Sequence, residues 1–302
     1  MIRYSVIVPN RNHPDLLRRA LASVPQRDDI QLIVVDDASD PALVDMDRYP
    51  GLERPGCQVV FTTEGKGAGY ARNAGLEKAT GRWLLFLDAD DFFTEEAWSL
   101  LDARADAPED IVYFGCRSVF SDTLQPSGRL DNRHMLIARY ADRPALLEFH
   151  NRYLHTEPWG KMIRRELVER EHIRFDETSC ANDYLFSVLT GHKAASTAFD
   201  PGILYCVTTR EDSLSHHYFD SPQKTWDRLD VYWRVQQFFD HEGVPLPVFY
   251  RLWLRCREEG GETLRTAESF RRDRKISRLR IAAGCLRCKW RIRMHIGVPY
   301  CR

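Results

Sequence analysis

The stretch RWLLFLDADD, residues 82–91, contains the pattern that decides the fold. Five apolar residues, 83–87, are followed by Asp88, Ala89, Asp90 and Asp91. An apolar run of this length is typical of a strand that is buried on both faces of a sheet. Three carboxylates in four residues repel one another, so we expect a positive group at the end of this strand.

The segments around this run alternate between strand-like and helix-like patterns. The strand candidates are YSVIVP (4–9), IQLIVVDD (30–37) and CQVVFTT (57–63), and the helix candidates are PDLLRRALASV (14–24) and YARNAGLEKAT (70–80), the latter preceded by the Gly-rich turn EGKGAG (64–69). This alternation predicts an α/β fold with a mostly parallel sheet covered by helices on both faces. Such sheets bind ligands beyond the carboxyl ends of their strands.

Polar groups follow the strands at that predicted edge. Asp37 ends one strand, Asp88 and Asp90 follow another, and the GKG turn (65–67) opens a helix between them. Backbone N–H groups at a helix N-terminus favour a phosphate, and carboxylates suit Mg²⁺ or Mn²⁺ that shares a phosphate oxygen. Each acidic pair alone is also explained as a solvated turn or a helix cap. Their occurrence together favours a divalent ion, which would compensate the clustered charge.

Four blocks of sequence resemble, in the same order, those of family 2 nucleotide-sugar glycosyltransferases, which have the Rossmann-like GT-A fold. The blocks are YSVIVPNRNHPDLLRRALASV (4–24), LIVVDDASD (32–40), GKGAGYARNAGLEKATGRWLLFLDADD (65–91) and EPWGKMIRREL (157–167). The resemblance covers roughly residues 3–215. It implies a GT-A domain at 1–217, with a nucleotide-sugar half at about 1–115 and an acceptor half at about 116–217, followed by a helical, basic C-terminal region at 218–302.

The resemblance also implies roles for individual residues on the donor side. DAD (88–90) matches the DXD signature, in which Asp88 approaches the ribose or a metal-bound water and Asp90 ligates Mg²⁺ or Mn²⁺ bridging the diphosphate. Ala89 lies between them in the same segment. Pro9 and Arg11 are implied to line the nucleotide pocket, and Asp37 is implied to contact the uracil ring. Lys66, Gly67 and Arg72 are implied to lie beside the ribose and the diphosphate.

A carboxylate on the acceptor side is implied as the catalytic base. FDETSCANDYLFSVLTG (175–191) places an acidic loop before a helix, and the family usually shows Glu-Asp where this chain has Asn182-Asp183. We predict that Asp183 deprotonates the acceptor hydroxyl for direct displacement with inversion. A helix N-cap is the alternative role for Asp183, and Asp176 and Glu177 are alternative bases.

Weaker candidates lie in the later blocks. Trp159 is a candidate for stacking on a sugar and Lys161 for binding a phosphate, although both residue types are also explained by packing. TTREDSLSHH (208–217) resembles a family segment, which implies that Arg210, Ser213 and Ser215 close over the diphosphate. His216 or His217 is a candidate for a further metal ligand, with a surface histidine as the alternative. Residues 115–151 lie where the family varies, so the acceptor is not readable from them.

The C-terminal region is helical in pattern and basic. FRRDRKISRLRIAAGCLRCKWRIRMHI (270–296) carries ten Lys or Arg against one Asp, and its apolar positions 276, 279, 281 and 286 give a rough helical stripe. One interpretation is a solvated helical pair. The other is a basic surface that docks on anionic membrane lipid or on a lipid-diphosphate-linked acceptor. The lone CxxC at 285–288 does not indicate zinc.

The composition and the termini limit the other classes of function. The net charge of −1 gives no indication of nucleic-acid binding, and no apolar stretch reaches the ~20 residues that span a bilayer. The first residues lack the features of a signal peptide, so we expect eight reduced cysteines and a cytoplasmic protein, peripheral on the inner membrane if the basic region docks there.

Together these observations predict an inverting, metal-dependent glycosyltransferase, either a hexosyl- or an N-acetylhexosaminyl-transferase. It would use a UDP-sugar to extend a bacterial cell-surface glycan such as lipopolysaccharide or capsule; whether it forms a homodimer stays open. A sugar nucleotidyltransferase is the enzymatic alternative, but PNRNHPD (9–15) is not its basic Gly-rich signature. The alternative that is not an enzyme is a nucleotide-sugar-binding protein of the same fold. Such a protein would be expected to have lost an acidic ligand or the base, whereas this chain retains Asp37, Asp88, Asp90 and Asp183.

Overall fold

The computed structural model describes residues 1–140, 142–210 and 219–293. The strands are β1 (Tyr4–Asn10), β2 (Ile30–Asp37), β3 (Cys57–Thr62), β4 (Trp83–Phe86), β5 (Phe92–Phe93), β6 (Ile111–Phe120), β7 (Lys161–Arg164) and β8 (Thr197–Thr209). The helices are α1 (Pro14–Ala22), α2 (Ala68–Lys78), α3 (Ala97–Ala103), α4 (Asp131–Tyr140), α5 (Pro144–Tyr153), α6 (Arg165–Arg170), α7 (Tyr184–Lys193), α8 (Pro222–His241), α9 (Val248–Glu259), α10 (Gly261–Asp273) and α11 (Arg278–Arg293).

The strands form one sheet in the order β3-β2-β1-β4-β7-β6-β8-β5. The first four strands in this order are parallel to one another, and so are β6 and β8. The short strands β5 and β7 pair antiparallel to their neighbours. The predicted α/β fold with a mostly parallel sheet is therefore confirmed, and every antiparallel pair involves β5 or β7.

The sheet is buried on both faces, as the continuous apolar strands predict. Side chains of β1 alternate between two cores: Val6 and Val8 pack in one, and Ile7 packs in the other. The amphipathic helix α1 covers the first face through residues such as Leu17, whereas α2 covers the second through residues such as Ala71. Burial of apolar side chains on both faces supplies the main stabilising free energy of such a layered fold.

The register of the parallel strands brings the predicted polar groups to one edge. Asn10, the last residue of β1, pairs with Asp36 of β2, and Ile7 of β1 pairs with Phe86 of β4. Strand β4 is shorter than the apolar run suggested, but the Leu87 N–H still donates to the Ile7 carbonyl at 3.0 Å. The carboxyl ends of β2, β1 and β4 therefore lie side by side.

The chain divides into two compact units. The first contains Met1–Glu177 and Phe186–Arg210, and hence the whole sheet. The second contains Thr178–Leu185 and the described residues from Phe219 onward, in which α8–α11 enclose their own apolar core. The predicted domain boundary at residue 217 stays a prediction.

Neither a membrane-crossing helix nor a disulfide occurs in the described ranges. No helix there is both long and apolar enough to cross a bilayer. The seven cysteines in these ranges form no disulfide. Burial raises the pKa of the Cys57 thiol to about 11 and that of Cys256 to about 12, which disfavours their reactive thiolate forms.

Candidate functional site

The three aspartates that follow β4 have different partners. The Arg72 guanidinium, from α2, donates to Asp88 Oδ1 at 2.6 Å, and Arg210, which follows β8, donates to Asp90 Oδ2 at 3.1 Å. Asp91 is buried and has no arginine partner among the described residues. Its burial, together with the neighbouring carboxylates, raises its pKa well above the ordinary value. Arginines thus provide the positive charge that the sequence required at this strand end.

Asp91 points into the protein, where it joins the strand end to β8. Its carboxylate accepts a hydrogen bond from the Thr208 N–H at 2.7 Å and another from the Tyr205 hydroxyl at 3.0 Å. The same hydroxyl accepts a hydrogen bond from the Asp88 N–H at 3.0 Å. Tyr205 therefore bridges the first and last aspartates of the DADD segment and fixes its backbone.

A second pair of residues holds the Asp90 carbonyl. The Thr208 hydroxyl donates to it at 2.8 Å, and Arg19 of α1 donates to it at 2.7 Å. Arg19 also donates to the carbonyl and the hydroxyl of Ser121. The sequence analysis missed Arg19, Tyr205 and Thr208 because they act through a backbone turn that lies far from them in sequence. Arg19 shares helix α1 with the charged residues Asp15 and Arg18, so its charge alone did not single it out.

The two aspartates at the end of β2 also have separate roles. Asp36 is buried and accepts hydrogen bonds from Ser39, through both its N–H and its hydroxyl, and from the Tyr49 hydroxyl at 2.8 Å. Asp37 instead accepts the Gly67 N–H at 2.6 Å. Asp36 thus orders the loop that follows β2, whereas Asp37 connects β2 to the start of α2.

Gly67 is the residue that precedes α2, and its backbone requires glycine. Its φ of 97° lies in a region that side chains with a Cβ rarely adopt. This conformation exposes the N-terminus of α2 at the carboxyl edge of the sheet. A helix N-terminus of this kind favours anions.

Lys66 and Arg11 lie on the loops around Gly67. Lys66 is half-exposed and pairs with Glu64 at 2.5 Å, and its ammonium lies 4.9 Å from the centre of the Tyr70 ring. A Cβ on Gly65 would lie 3.5 Å from the Arg11 guanidinium, so Arg11 is next to the Gly-rich turn. Two of the predicted donor-contacting cations, Arg11 and Lys66, are thus in this loop cluster.

The loops that follow β1 and β2 are also connected to each other. The Asn12 N–H donates to the Ser39 hydroxyl at 2.8 Å, and the Asp40 N–H donates to Asn12 Oδ1 at 2.7 Å. Pro9 and Asn10 end β1 beneath these loops, and the buried Asn10 Oδ1 has no hydrogen-bond partner within the described ranges.

The side chains present fit a divalent ion that is shared with a diphosphate. The described ranges contain no cluster of three or more His, Cys, Asp or Glu that would hold a metal alone. Asp88 and Asp90, whose side chains are 28% and 35% exposed, supply two carboxylates, and Mg²⁺ often uses one or two carboxylates together with substrate phosphates. The buried Nε of Arg210 has no hydrogen-bond partner in the described part of the chain.

Trp159 and Lys161 lie in the protein interior. Trp159 is buried and stacks on Tyr205, with ring centroids 5.1 Å apart and an interplanar angle of 6°. Lys161 is 1% exposed, donates to the His155 carbonyl at 3.2 Å, and lies 5.5 Å from the centre of the Tyr113 ring. These contacts are typical of core residues and support the packing role. The binding of a sugar by Trp159 and of a phosphate by Lys161 stays a prediction.

Asp183 precedes α7 directly and belongs to the second unit. Of the alternative bases, Glu177 belongs to the first unit and accepts a hydrogen bond from Asn73 at 3.3 Å. The assignment of Asp183 as base stays a prediction. Ser213, Ser215, His216 and His217 lie outside the described residues.

Comparisons with known proteins relate the chain to a glycosyltransferase family. The family profile "Glycosyl transferase family 2" matches residues 5–179. The succinoglycan biosynthesis protein ExoO of Rhizobium meliloti (strain 1021) is 26% identical over 223 residues, which are 69% of this chain and 61% of that protein. The poly(ribitol-phosphate) beta-N-acetylglucosaminyltransferase TarS of Staphylococcus aureus (strain Mu50 / ATCC 700699) is 27% identical over 238 residues, 75% of this chain and 39% of TarS. The chain therefore spans less than two thirds of the length of these relatives.

Solved structures show the same fold. The crystal structure of S. aureus TarS 1–349 in complex with UDP-GlcNAc matches with a TM-score of 0.58 and 22% identity, over 76% of this chain and 65% of that one. The mannosyltransferase PcManGT from Pyrobaculum calidifontis, in complex with GDP-Man and Mn²⁺, matches with a TM-score of 0.55 and 16% identity, over 96% of this chain and 86% of that one. These matches confirm the predicted GT-A fold.

Proposed function

The chain belongs to glycosyltransferase family 2, and from this premise we propose that it transfers a sugar from a UDP-sugar to a hydroxyl group of a glycan or lipid-linked acceptor. The observation that carries the proposal is the meeting of two acidic strand ends and a helix N-terminus. Asp37 ends β2 and binds the Gly67 N–H, while Asp88, which follows β4, binds Arg72 of the same helix. This arrangement suits a nucleoside diphosphate with its base toward Asp37 and its phosphates toward α2.

The acceptor class is proposed from the relatives. Two of them are named for succinoglycan biosynthesis and for transfer of N-acetylglucosamine to poly(ribitol-phosphate). Both names concern bacterial polymers, so we infer a hexosyl or N-acetylhexosaminyl transfer in the synthesis of a cell-surface polysaccharide such as lipopolysaccharide or capsule.

The proposed chemistry on the donor side depends on charge. Arg72 and Arg210 hold Asp88 and Asp90 and lie where negative charge would develop on the departing diphosphate. The Arg210 side chain is 27% exposed, and its guanidinium can donate a hydrogen bond to that diphosphate. When bound, Mn²⁺ or Mg²⁺ supplies Lewis-acid stabilisation of the same leaving group, with Asp90, and also Asp88, as its protein ligands.

The proposed chemistry on the acceptor side depends on one carboxylate. Asp183 would accept the proton from the acceptor hydroxyl, whose oxygen displaces the nucleoside diphosphate from the sugar in one step with inversion. Asn182 occupies the position where the family usually has a glutamate, so a single carboxylate serves at this helix start.

The first experiment is a thermal-shift panel with the intact protein. Seven donors (UDP-glucose, UDP-galactose, UDP-GlcNAc, UDP-GalNAc, UDP-glucuronate, GDP-mannose and dTDP-rhamnose) are each tested with Mn²⁺ and with EDTA. Ligands that bind only the folded state raise its melting temperature. We expect a shift with UDP-sugars that EDTA removes. A shift with a different nucleotide class would correct the donor, and no shift with any nucleotide would contradict a nucleotide-sugar site.

A matched pair of aspartate variants tests the metal ligand. Asp90→Asn should remove the EDTA-sensitive part of UDP affinity, because the amide lacks the negative charge that the cation needs. Asp106→Asn changes an exposed aspartate that is also paired with an arginine, Arg82, and should leave the affinity unchanged. Equal Mn²⁺-dependent affinity in both variants would refute the role of Asp90. Release of UDP in the presence of Mn²⁺ and acceptor separates an enzyme from a binding protein.

A further inference from the structure

Helix α11 in the second unit has one buried face. Ile281, Cys285 and Cys288 are buried, and Cys285 packs beside the Tyr250 carbonyl of α9. A Cβ on Gly284 would collide with the Tyr250 ring, so the two helices approach closely there. This face therefore anchors α11 to the second unit.

The opposite face of α11 exposes large apolar side chains. Leu279 is 84% exposed, Leu286 is 68% exposed and Trp290 is 58% exposed. Their spacing of seven and then four residues places them on one side of a helix with 3.6 residues per turn. The apolar positions 276, 279, 281 and 286 therefore do not form one face. Ile276 and Ile281 are buried in the core, whereas Leu279 and Leu286 are exposed. We call Leu279, Leu286 and Trp290 the outer stripe.

Cations flank the outer stripe on both sides. At about 100° per residue, Arg278 and Lys289 lie on one side of it and Arg287 lies on the other. All three are exposed, and none has an ion pair within the described ranges. Arg280, by contrast, donates to Asp240 at 3.0 Å. The sequence has no Asp or Glu between Arg274 and Arg293, so this positive charge is not compensated along the helix itself.

We propose that the outer stripe is a docking surface for an anionic lipid bilayer. An apolar stripe with a tryptophan, bordered by Lys and Arg, matches the helices that lie in the membrane interface, with apolar side chains among the acyl chains and cations at the headgroups. A second copy of this chain fits less well, because a self-complementary contact on this face would bring its cations together. The proposal rests on the second unit alone and is independent of the proposed sugar transfer.

Vesicle sedimentation with the intact protein tests the docking surface. We expect binding to vesicles of phosphatidylcholine with phosphatidylglycerol, weaker binding to phosphatidylcholine alone, and a decrease with added salt. Leu286→Gln should lower the affinity roughly tenfold, since the loss of one buried leucine side chain is of this order. Leu43→Gln alters a similarly exposed leucine, at 61%, in the first unit and should have no effect.

A charge variant tests the flanking cations. Replacing both Arg287 and Lys289 with Gln should lower binding to anionic vesicles by about 25-fold, or about fivefold for each charge. Arg48→Gln removes an exposed arginine from the first unit and serves as its control. All these positions are exposed, so the variants should remain folded, which circular dichroism verifies.

Fluorescence provides a site-specific measurement. Of the seven tryptophans in the chain, the other six are buried or half-buried, so Trp290 should dominate quenching by brominated lipids. Trp290→Phe should remove most of that quenching. Equal binding to neutral and anionic vesicles, or unchanged binding in Leu286→Gln, would overturn the proposal. A dimer that Leu286→Gln dissociates, without any vesicle binding, would assign the stripe to a second copy instead.

Discussion

Replacing Tyr205 with phenylalanine tests whether β8 positions the DADD segment. The change keeps the ring that stacks on Trp159 and removes only a buried hydroxyl. That hydroxyl accepts the Asp88 N–H and donates to Asp91, both at 3.0 Å. The substitution therefore leaves one backbone donor and one carboxylate oxygen without their partner, while the core volume is almost unchanged.

The two lost hydrogen bonds set the expected magnitudes. Each orphaned buried polar group costs about 1–3 kcal/mol, so the two together should lower the free energy of unfolding by about 2–6 kcal/mol. The lower part of this range applies if Asp91, whose pKa is raised by burial, becomes protonated. A freed Asp88 backbone must also be ordered again on ligand binding. Ordering one residue costs about 1–2 kcal/mol, which corresponds to a roughly five- to thirtyfold weaker affinity for UDP with Mn²⁺.

Urea unfolding and isothermal titration calorimetry with UDP and Mn²⁺ measure the two effects separately. Tyr4→Phe is the matched control, because Tyr4 is also buried and its hydroxyl donates to Asp102 at 3.1 Å, but it begins β1 at the opposite edge of the sheet. We expect Tyr4→Phe to lower stability and leave UDP affinity unchanged. If Tyr205→Phe behaves in the same way, the positioning role is wrong and Tyr205 is only a core residue.

Three further predictions concern other parts of the chain. Asp183→Asn should abolish sugar transfer while UDP affinity, measured by calorimetry, stays at the wild-type value; wild-type transfer rates would move the base elsewhere. Gly75→Ala should lower the melting temperature, because the new Cβ would lie 2.5 Å from the Ile7 side chain. Overpacking of this kind costs about 1–3 kcal/mol and outweighs a helix-propensity gain of about 0.5–1 kcal/mol. A raised melting temperature would show that Ile7 moves aside. Hydrogen bonds from Arg27 lower the pKa of Asp102. The contribution of this carboxylate to stability is therefore present above about pH 4 and is lost as the pH falls through the lowered pKa. Asp102→Asn should flatten the pH dependence of the free energy of unfolding in acid, and an unchanged pH profile would contradict this.

Much of the fold follows from local sequence pattern. Continuous apolar runs flanked by turn residues are typical of strands buried on both faces, and the amphipathic spacing of 14–24 indicates a helix with one face on the sheet. Both inferences use interactions between residues near one another in the chain. Neither inference therefore depends on which strands pair in the sheet. The parallel strands β3, β2, β1 and β4 have the structure that these two inferences predict.

The candidate site was accessible from sequence for a related reason. Parallel strands bring their carboxyl ends to one edge, so Asp37 and Asp88 could be placed together from the order of elements alone. Gly67 was identified through its Gly-rich turn, and its positive φ shows why glycine is needed there.

Only the tertiary structure showed which partner each of the three aspartates has. Charge and spacing alone do not reveal the partners of Asp88, Asp90 and Asp91. Helix α2 brings Arg72 to Asp88, the end of β8 brings Arg210 to Asp90, and β8 itself brings Tyr205 to Asp91. The pairing of an arginine with a carboxylate across more than a hundred residues, as for Arg210, has no local pattern. Which face of α11 is buried and which is exposed was likewise determined by the residues that pack against this helix, such as Tyr250. Local propensity therefore determined the elements, and long-range packing determined the electrostatics of the site and the surface that stays exposed.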